Sequence, residues 1–390
     1  MSGASDPVDV IVVGGGIVGI ACAEAATAQG LTVRLFEQDR IGSGTTSAGM
    51  GHVVQIPGAM LPLIRYSQRL WRVRASEWAG QVPIRPAGTV WLARDAEDVR
   101  KLDALEDAYA RAEVPTERWD ASELRAQEPA VGRDVSDGLR VKDDLLVDPP
   151  SATLRLRALT QARKGVVMEG MRVEQIVDGG VRLAEGTTVR AHHVVVASGV
   201  ESSRLLPELG IYPRKGHIVQ LGTPAGYVHS QLAEAGYALG TDVQTDESIS
   251  FNVHPAPSGG LWVGASRQSH VESSEVEDRI VDRLIERAGA YLDRPTQYPV
   301  IRRWTGFRPA SPDHRPFIGF WPGRQDLLVA AGHEGLGVTT SLATGQLVAD
   351  LLQGRRSEVD RAPFALEGRV GEAASPRKGN ATPSRRRGAR

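Results

Sequence analysis

The chain is 390 residues long, with 41% hydrophobic and 24% charged residues, so disorder and fibrous repeats are excluded and two domains are expected. Its 43 Gly and 23 Pro follow no three-residue period, which rules out collagen and points to a loop-rich α/β or α+β fold. A formal net charge of −1 argues against a nucleic-acid binder that lives on phosphate contacts, and the six cations of residues 373–390 leave the rest of the chain at −7.

Cys22 is the sole cysteine. It excludes an intramolecular disulfide, a cysteine-based zinc site and an iron–sulfur cluster held by this chain alone, and a reducing compartment is the simplest reading. Residues 1–9 carry no positive charge ahead of the apolar run and do not read as a secretory signal. The longest apolar stretch, Val10 to Ala23, is broken by glycines and too short to span a bilayer. A cytoplasmic protein without a transmembrane segment is expected.

Val8 to Val13 is a β-branched run that reads as a buried parallel strand. Gly14-Gly15-Gly16-Ile17-Val18-Gly19 follows, then a helical run from Ile20 to Gln29 closed by Gly30, and a second strand, Leu31 to Phe36, that ends in Glu37. This is the dinucleotide fingerprint in its strand–turn–helix–strand context. Gly14 permits the turn, Gly16 lets the backbone approach a pyrophosphate, and Gly19 lets helix and strand pack closely. The helix N-terminus supplies N–H donors and a positive dipole, and Glu37 suits ribose hydroxyls. An acid there disfavours a 2′-phosphate, so NADP is set aside while FAD and NAD both remain. Cys22, on the first helix, reads as a packed core residue.

The run Ile41 to His52 is rich in small and hydroxyl residues that let backbone come close to a ligand. Helices are expected at Arg65 to Ala79 and Ala96 to Ala112, with a strand from Gly88 to Ala93 between them. Pro149-Pro150 precedes a helix from Ser151 to Arg163. Strands follow near 165–173 and 181–183, and Ala191 to Gly199 is a buried strand running into a glycine turn. His192-His193 lacks a third ligand nearby, so no metal site is expected. Lys215 to Leu221 opens a β-rich section, and Ile249 to His254 with Leu261 to Ala265 form a hairpin pattern. Ser274 and Glu277 read as a capping box for a helix with Val276, Ile280 and Leu284 on its apolar face. Trp304 to Asp313 is rich in turn formers. Leu327 to Ala331 is a strand, after which Gly332-His333-Glu334-Gly335-Leu336-Gly337 turns into a helix from Val338 to Gln353. That second helix N-terminus offers positive potential for the negative charge of a reduced flavin. Beyond Gly354 the periodicity fades, and Glu372 to Arg390 reads as a disordered tail.

Together these segments resemble the D-amino-acid-oxidase superfamily of FAD enzymes, which includes glycine oxidase, monomeric sarcosine oxidase and D-amino-acid dehydrogenases. The carriers are the fingerprint, the Thr45-to-His52 loop, Arg214-Lys215-Gly216-His217, Gly306 to Asp313 and Gly332 to Gly345. Ala48 to His52, Val263 to Gln268 and Gly332 to Ser341 look like the D-hydroxyproline dehydrogenase subgroup. The implied fold is α/β (α+β overall), a GR2-type Rossmann-like FAD-binding domain with an inserted antiparallel-sheet substrate domain. Residues 1–85, 145–215 and 305–365 would form the first, 86–144 and 216–304 the second, and 372–390 the basic tail.

The resemblance implies hydride transfer from the amine-bearing carbon of a D-amino or cyclic secondary amino acid to flavin N5, giving an imine that water hydrolyses. It places Gly14, Gly16, Ile17, Val18, Gly19, Glu37, Gln38, Thr45, Thr46, Ser47, Gly49, Met50, Val173, Ala197, Ser198, Gly199, Gly335, Leu336, Gly337, Val338 and Thr339 along a noncovalent FAD. Arg308 sits where glycine oxidase clamps the substrate carboxylate, and His52, His333 and Phe251 are candidates beside the reacting atoms. The roof strand has Phe251 where several relatives place a tyrosine, and Tyr237 is the candidate to replace that phenol. After Val54 the chain reads Gln55-Ile56-Pro57-Gly58-Ala59-Met60 where the subgroup tends to acidic residues, which weakens hydroxyproline as the substrate. Competing readings are an NAD-dependent dehydrogenase, a glycine or sarcosine oxidase, and an FAD-bearing subunit of a hetero-oligomer that passes electrons to partner chains. Oxygen, a quinone and a partner subunit all stay open as acceptor.

Overall fold

The β-branched run Val8–Val13 becomes the central strand of a sheet, as expected of a segment that must be buried on both faces. It pairs in parallel with Val33–Phe36 on one side and Thr188–Val196 on the other. Val166–Met168 extends the parallel array beyond Val33–Phe36, and Arg324–Ala331 extends it beyond Thr188–Val196. Phe317–Trp321 closes that edge antiparallel, and the hairpin Val173–Val177 with Gly180–Leu183 pairs with the start of Thr188–Val196. The computed structural model describes residues 7–238 and 246–370, so the tail expected at 372–390 lies outside the described residues.

The first helix, Ile17–Ala28, begins three residues earlier than the periodicity suggested, because Gly16 serves as its N-cap and Ile17 to Gly19 already form its first turn. The last helix, Gly337–Leu352, lies against it so closely that a side chain on Gly345 would meet the Ala21 carbonyl oxygen at 2.5 Å. Around them Ile20, Cys22, Leu35, Trp71, Leu328 and Leu347 form the largest core. The helix expected from Arg65 starts earlier, at Leu61, and that expected from Ser151 takes both prolines into its first turn as Pro149–Ala162. Proline costs nothing there because a first-turn N–H has no intrahelical partner, and Asp148 caps the end by accepting from the Ser151 N–H at 3.1 Å.

Among the described residues a second eight-stranded sheet lies over the C-terminal ends of the parallel strands. Val300–Ala310, Tyr212–Leu221, Leu261–Ser269, Glu247–Pro255 and Gln231–Glu234 follow one another antiparallel, then Thr89–Ala93 joins in parallel, followed by Asp137–Val141 and Glu117–Asp120. Its outer face packs on the helix Asp278–Gly289, while Ala96–Arg111 packs on the opposite face at the far end, against Trp91, Ala93 and Leu139. Tyr212–Leu221 and Val300–Ala310 run unbroken through the boundaries expected at 215/216 and 304/305.

Two local expectations fail for identifiable reasons. The turn formers of 304–313 lie mostly inside the strand Val300–Ala310, which pairs with Tyr212–Leu221 over its length. Pro309 is tolerated because this strand is the sheet's edge. The Ser274–Glu277 capping box does not form. The helix starts at Asp278, the Glu277 carboxylate is drawn to Lys215, Gln268 and Arg279, and the Ser274 carbonyl accepts from the Thr305 hydroxyl.

Candidate active site

A cavity of about 630 Å³ runs between the C-terminal ends of the parallel strands and the roof sheet. At its fingerprint end lie Gly14, Gly16, Ile17, Val18, Glu37, Gln38, Val173 and Ala197 to Gly199. Gly14 has φ +103°, and a side chain there would meet the Ala197 carbonyl oxygen at 2.7 Å. Gly19 faces the Gly14 carbonyl so closely that an added Cβ would sit 2.0 Å from its oxygen, which is the helix–strand approach the fingerprint requires. Glu37 accepts from the Gly15 N–H at 2.6 Å and the Asp39 N–H at 2.9 Å, which leaves lone pairs for ribose hydroxyls. The Thr46 hydroxyl accepts from the Ile17 N–H at 3.0 Å, so the loop after the acid caps the first helix across 29 residues. Sequence spacing carries no signal of that contact.

The middle of the cavity is walled by the short helix Thr45–Ala48 and the edge strand of the roof. Thr45 donates to the Phe307 carbonyl at 2.6 Å, and a side chain on Gly306 would strike the Ala48 Cβ at 2.4 Å. Three cross-strand pairs of the roof follow one another here: Ile218 with Trp304, Gly216 with Gly306, and Arg214 with Arg308. Along two strands the roof therefore passes from apolar to bare to cationic. From below come Met50, His52, His333 to Gly335, Gly337 and Val338. Gly19, Leu336 and Thr339, expected along the cofactor, do not line the cavity, and Thr339 supports its wall by donating to the His52 carbonyl at 2.8 Å. These bare backbone walls, ending at one helix N-terminus at each end, fit an FAD molecule.

At the cationic end, Arg308 donates to the Ser266 carbonyl at 2.9 Å. Burial lowers its pKa, as do the neighbouring charges of Arg267 and Arg214, while Tyr237 and Glu334 act the other way. No ion pair of Arg308 is found among the described residues. Tyr237 lines the cavity here, as the sequence suggested for a replacement phenol, with the Arg267 guanidinium 4.7 Å from its ring centroid. Burial would raise the Glu334 carboxyl, but the His314 hydrogen bond at 3.2 Å and the Arg214 charge hold it at about 2. Glu334 is thereby committed to Arg214 and His314.

His52 is buried in the wall, and burial together with His254 holds its pKa well below the ordinary value. Its Nδ1 lies 3.2 Å from the Gln231 amide nitrogen, which also donates to Asn252 at 3.2 Å. An amide donor at Nδ1 leaves the ring proton on Nε2, a buried atom with no hydrogen-bond partner. His333 is neutral too, pushed down to about 3 by burial, with Nε2 3.1 Å from the Thr344 hydroxyl.

Phe251 is not at the reacting end. Alternation along Glu247–Pro255 turns it to the outer face, where it stacks on Tyr291 with centroids 4.4 Å apart. Its neighbour Asn252 faces the cavity instead. Asn252, Gln231, Arg267 and Glu334 were not singled out; Arg267 and Glu334 lie within the segments Val263 to Gln268 and Gly332 to Ser341 that carry the resemblance, and Asn252 had a signal in its odd–even relation to Phe251. Cys22 is fully buried in the core with its thiol pushed up to about 12, away from the cavity lining.

Residues 9–351 match the model of the family described as FAD dependent oxidoreductase (DAO). A glycine oxidase of Bacillus licheniformis is 27% identical over 365 residues, covering 89% of this chain and 93% of that protein. The crystal structure of glycine oxidase from Geobacillus kaustophilus superposes with a TM-score of 0.84 at 25% identity, covering 94% of this chain and 100% of that one. An L-proline dehydrogenase from P. horikoshii shares the fold, with a TM-score of 0.81 at 21% identity over 90% of this chain and 94% of its own. No helix among the described residues is long and apolar enough to cross a membrane.

Proposed function

The chain belongs to the FAD dependent oxidoreductase (DAO) family, and from that premise we propose that it oxidises the CH–N bond of a small D-amino or cyclic secondary amino acid, of which D-proline and D-hydroxyproline are examples. One observation carries the reading. Arg308 is a desolvated guanidinium that lines the same cavity as the fingerprint, and no side-chain carboxylate pairs with it among the described residues. Its planar donor fork matches a carboxylate by two charge-assisted bonds, and one of its nitrogens is already fixed on the Ser266 carbonyl.

Bound FAD supplies the acceptor for the hydride that leaves the amine-bearing carbon. Gly14, Gly16 and Glu37 would hold its nucleotide half, and the segment Thr45–Met50 with Gly335, Gly337 and Val338 its flavin half. Arg308 anchors the substrate and so orients its C–H bond, while the bare Gly216–Gly306 pair admits the Arg308 guanidinium and Ala48, which lie 2.6 and 2.4 Å from where side chains there would begin. The buried His52 and His333 are neutral, so neither adds a charge that would repel an ammonium or trap a proton. A substrate whose amine binds unprotonated needs no strong base, and none lines this end among the described residues.

Glycine or sarcosine oxidation is the second reading, favoured by the named glycine oxidases. The test is the visible spectrum of the flavoprotein on anaerobic addition of D-proline, cis-4-hydroxy-D-proline, sarcosine and glycine separately. Bleaching by one of them is expected, and readmitting air then tests oxygen against a quinone or partner subunit as acceptor. Arg308→Met should raise KM about 100-fold, the worth of two charge-assisted bonds at about 1.5 kcal/mol each. Unchanged kinetics in that variant would overturn the carboxylate assignment.

A further inference from the structure

The cationic end of the cavity holds more positive charge than one clamp requires. Arg267 is half-buried on the inner face of the roof, behind Tyr237 and beside the cavity rather than in its lining. Its Nη1 is shielded from solvent without a hydrogen-bond partner, and no ion pair of Arg267 is found among the described residues. Its guanidinium is stacked on Tyr237, which lines the cavity. Arg308 is fixed to the carbonyl of the very peptide that joins Ser266 to Arg267, so the two guanidiniums are neighbours. Each is close enough for its charge to bear on Glu334, and that carboxylate is already held by Arg214 and His314.

The placement of Arg267 is built into the sheet. Up to Gly264 the even residues of the strand face the cavity: Trp262 packs with Met50 and Trp304, while Leu261 and Val263 belong to the outer core. The register slips between the pairs Val219–Val263 and Lys215–Gln268. Beyond the slip Gln268 bonds Glu277 on the outer face, and Ala265 lines the cavity. The slip thus exchanges the faces and turns Arg267 toward the site.

A desolvated Arg308 with a half-buried Arg267 beside it, and no fixed counter-charge for either among the described residues, is costly unless a ligand brings the compensating charge. We propose that Arg267 is a second anion-binding residue of this site, and that the preferred amino acid carries a second carboxylate besides the one held by Arg308. This rests on the reading of Arg308 given above. One carboxylate shared by both arginines would leave a net positive charge buried, whereas a dianion neutralises the pair. Stacking on Tyr237 holds the Arg267 fork in place while its unpartnered nitrogen stays free to donate.

The test uses the FAD-loaded enzyme and needs no turnover. Titrations with propionate and with succinate, which lack an amine, are read from perturbation of the flavin visible bands. Succinate should bind about tenfold more tightly, the worth of one charge-assisted hydrogen bond. Arg267→Met should abolish that preference, and Arg267→Lys should keep part of it. Among substrates, D-aspartate, D-glutamate and N-(carboxymethyl)glycine should bleach the flavin at lower concentration than D-alanine and sarcosine, and the advantage should vanish in Arg267→Met. Equal affinity for the two carboxylates in the unaltered enzyme would overturn the inference, as would a preference that survives Arg267→Met. If Arg308→Met abolishes both titrations while Arg267→Met changes neither, the clamp stands and the second site falls. If no carboxylate perturbs the flavin of the unaltered enzyme, both fall together.

Discussion

Asp144, 1% exposed, is buried between the start of the roof strand Thr89–Ala93 and the loop after His52. It accepts from the Gln55 N–H at 2.9 Å and, more weakly, from the Gln68 amide at 3.4 Å, while its second oxygen is buried without a partner. Burial is the main cause that lifts its carboxyl from 3.8 to about 7, and the Thr89 hydroxyl with the Gln55 and Gln68 hydrogen bonds only partly opposes it. The folded protein therefore binds a proton that the unfolded chain releases near pH 4. The resulting stability is fully present below pH 4 and is lost as pH rises through 7. Each pH unit in that window removes about 1.4 kcal/mol, on the order of 4 kcal/mol in total. Raw stability will not display it. His52 is held well below 6.5, His217 and His254 at about 4, and His333 at about 3, all chiefly by burial, and each adds the opposite slope below pH 6.5. The comparison with Asp144→Asn cancels the histidines. Urea unfolding of both proteins with saturating FAD, from pH 5 to 8.5, should give a stability difference that moves toward the variant by about 1.4 kcal/mol per unit and levels off above pH 7. The unpartnered Asn amide shifts the intercept, not the slope. A difference independent of pH between 5 and 7 would refute a protonated Asp144.

Two further outcomes test the cavity walls. Gly306→Ala places a methyl 2.4 Å from the Ala48 Cβ and should push the Thr45–Ala48 turn out of position, lowering FAD content as read from the ratio of absorbance near 450 nm to that at 280 nm. Full flavin content in that variant would mean that the turn gives way freely. Phe251→Leu removes a stacked partner of Tyr291 on the outer face, so thermal unfolding should reveal a loss of about 1–3 kcal/mol. Its kcat/KM should stay within about twofold of the unaltered enzyme, and a large loss with the fold intact would return Phe251 to the reacting end.

The nucleotide end was legible in the sequence because its function is carried by backbone. Gly14, Gly16 and Gly19 mark the places where chain must meet chain or ligand, and such constraints appear as residue identity at fixed spacing. Only the bounds shifted, with the helix starting at Ile17 rather than Ile20. The reacting end was legible only where one motif carried it, as with Arg308. The rest depends on pairings distant in sequence. Gln231 reaches His52 across 179 residues, and Glu334 reaches Arg214 across 120. Strand alternation alone would have turned Phe251 outward. The same rule would have misplaced Arg267, because the slip after Val263 inverts it.

This division has a physical consequence for how the enzyme chooses its substrate. Glycine backbone and helix N-termini form the cofactor end, where a new side chain collides with carbonyls at 2.0 to 2.7 Å and cannot relax. The roof presents side chains from strands whose spacing is fixed by the Gly216–Gly306 pair and by the ladder between Tyr212–Leu221 and Val300–Ala310. Tyr237, Asn252 and Arg308 line the cavity by their side chains, with Arg214 and Arg267 beside them on the same face. Moreover, Lys215 and His217 anchor those strands from the outer face through Glu277, so the cations on the inner face do not also have to hold the sheet together. Substrate preference can therefore change through the inner-face side chains while the cofactor seat stays as it is.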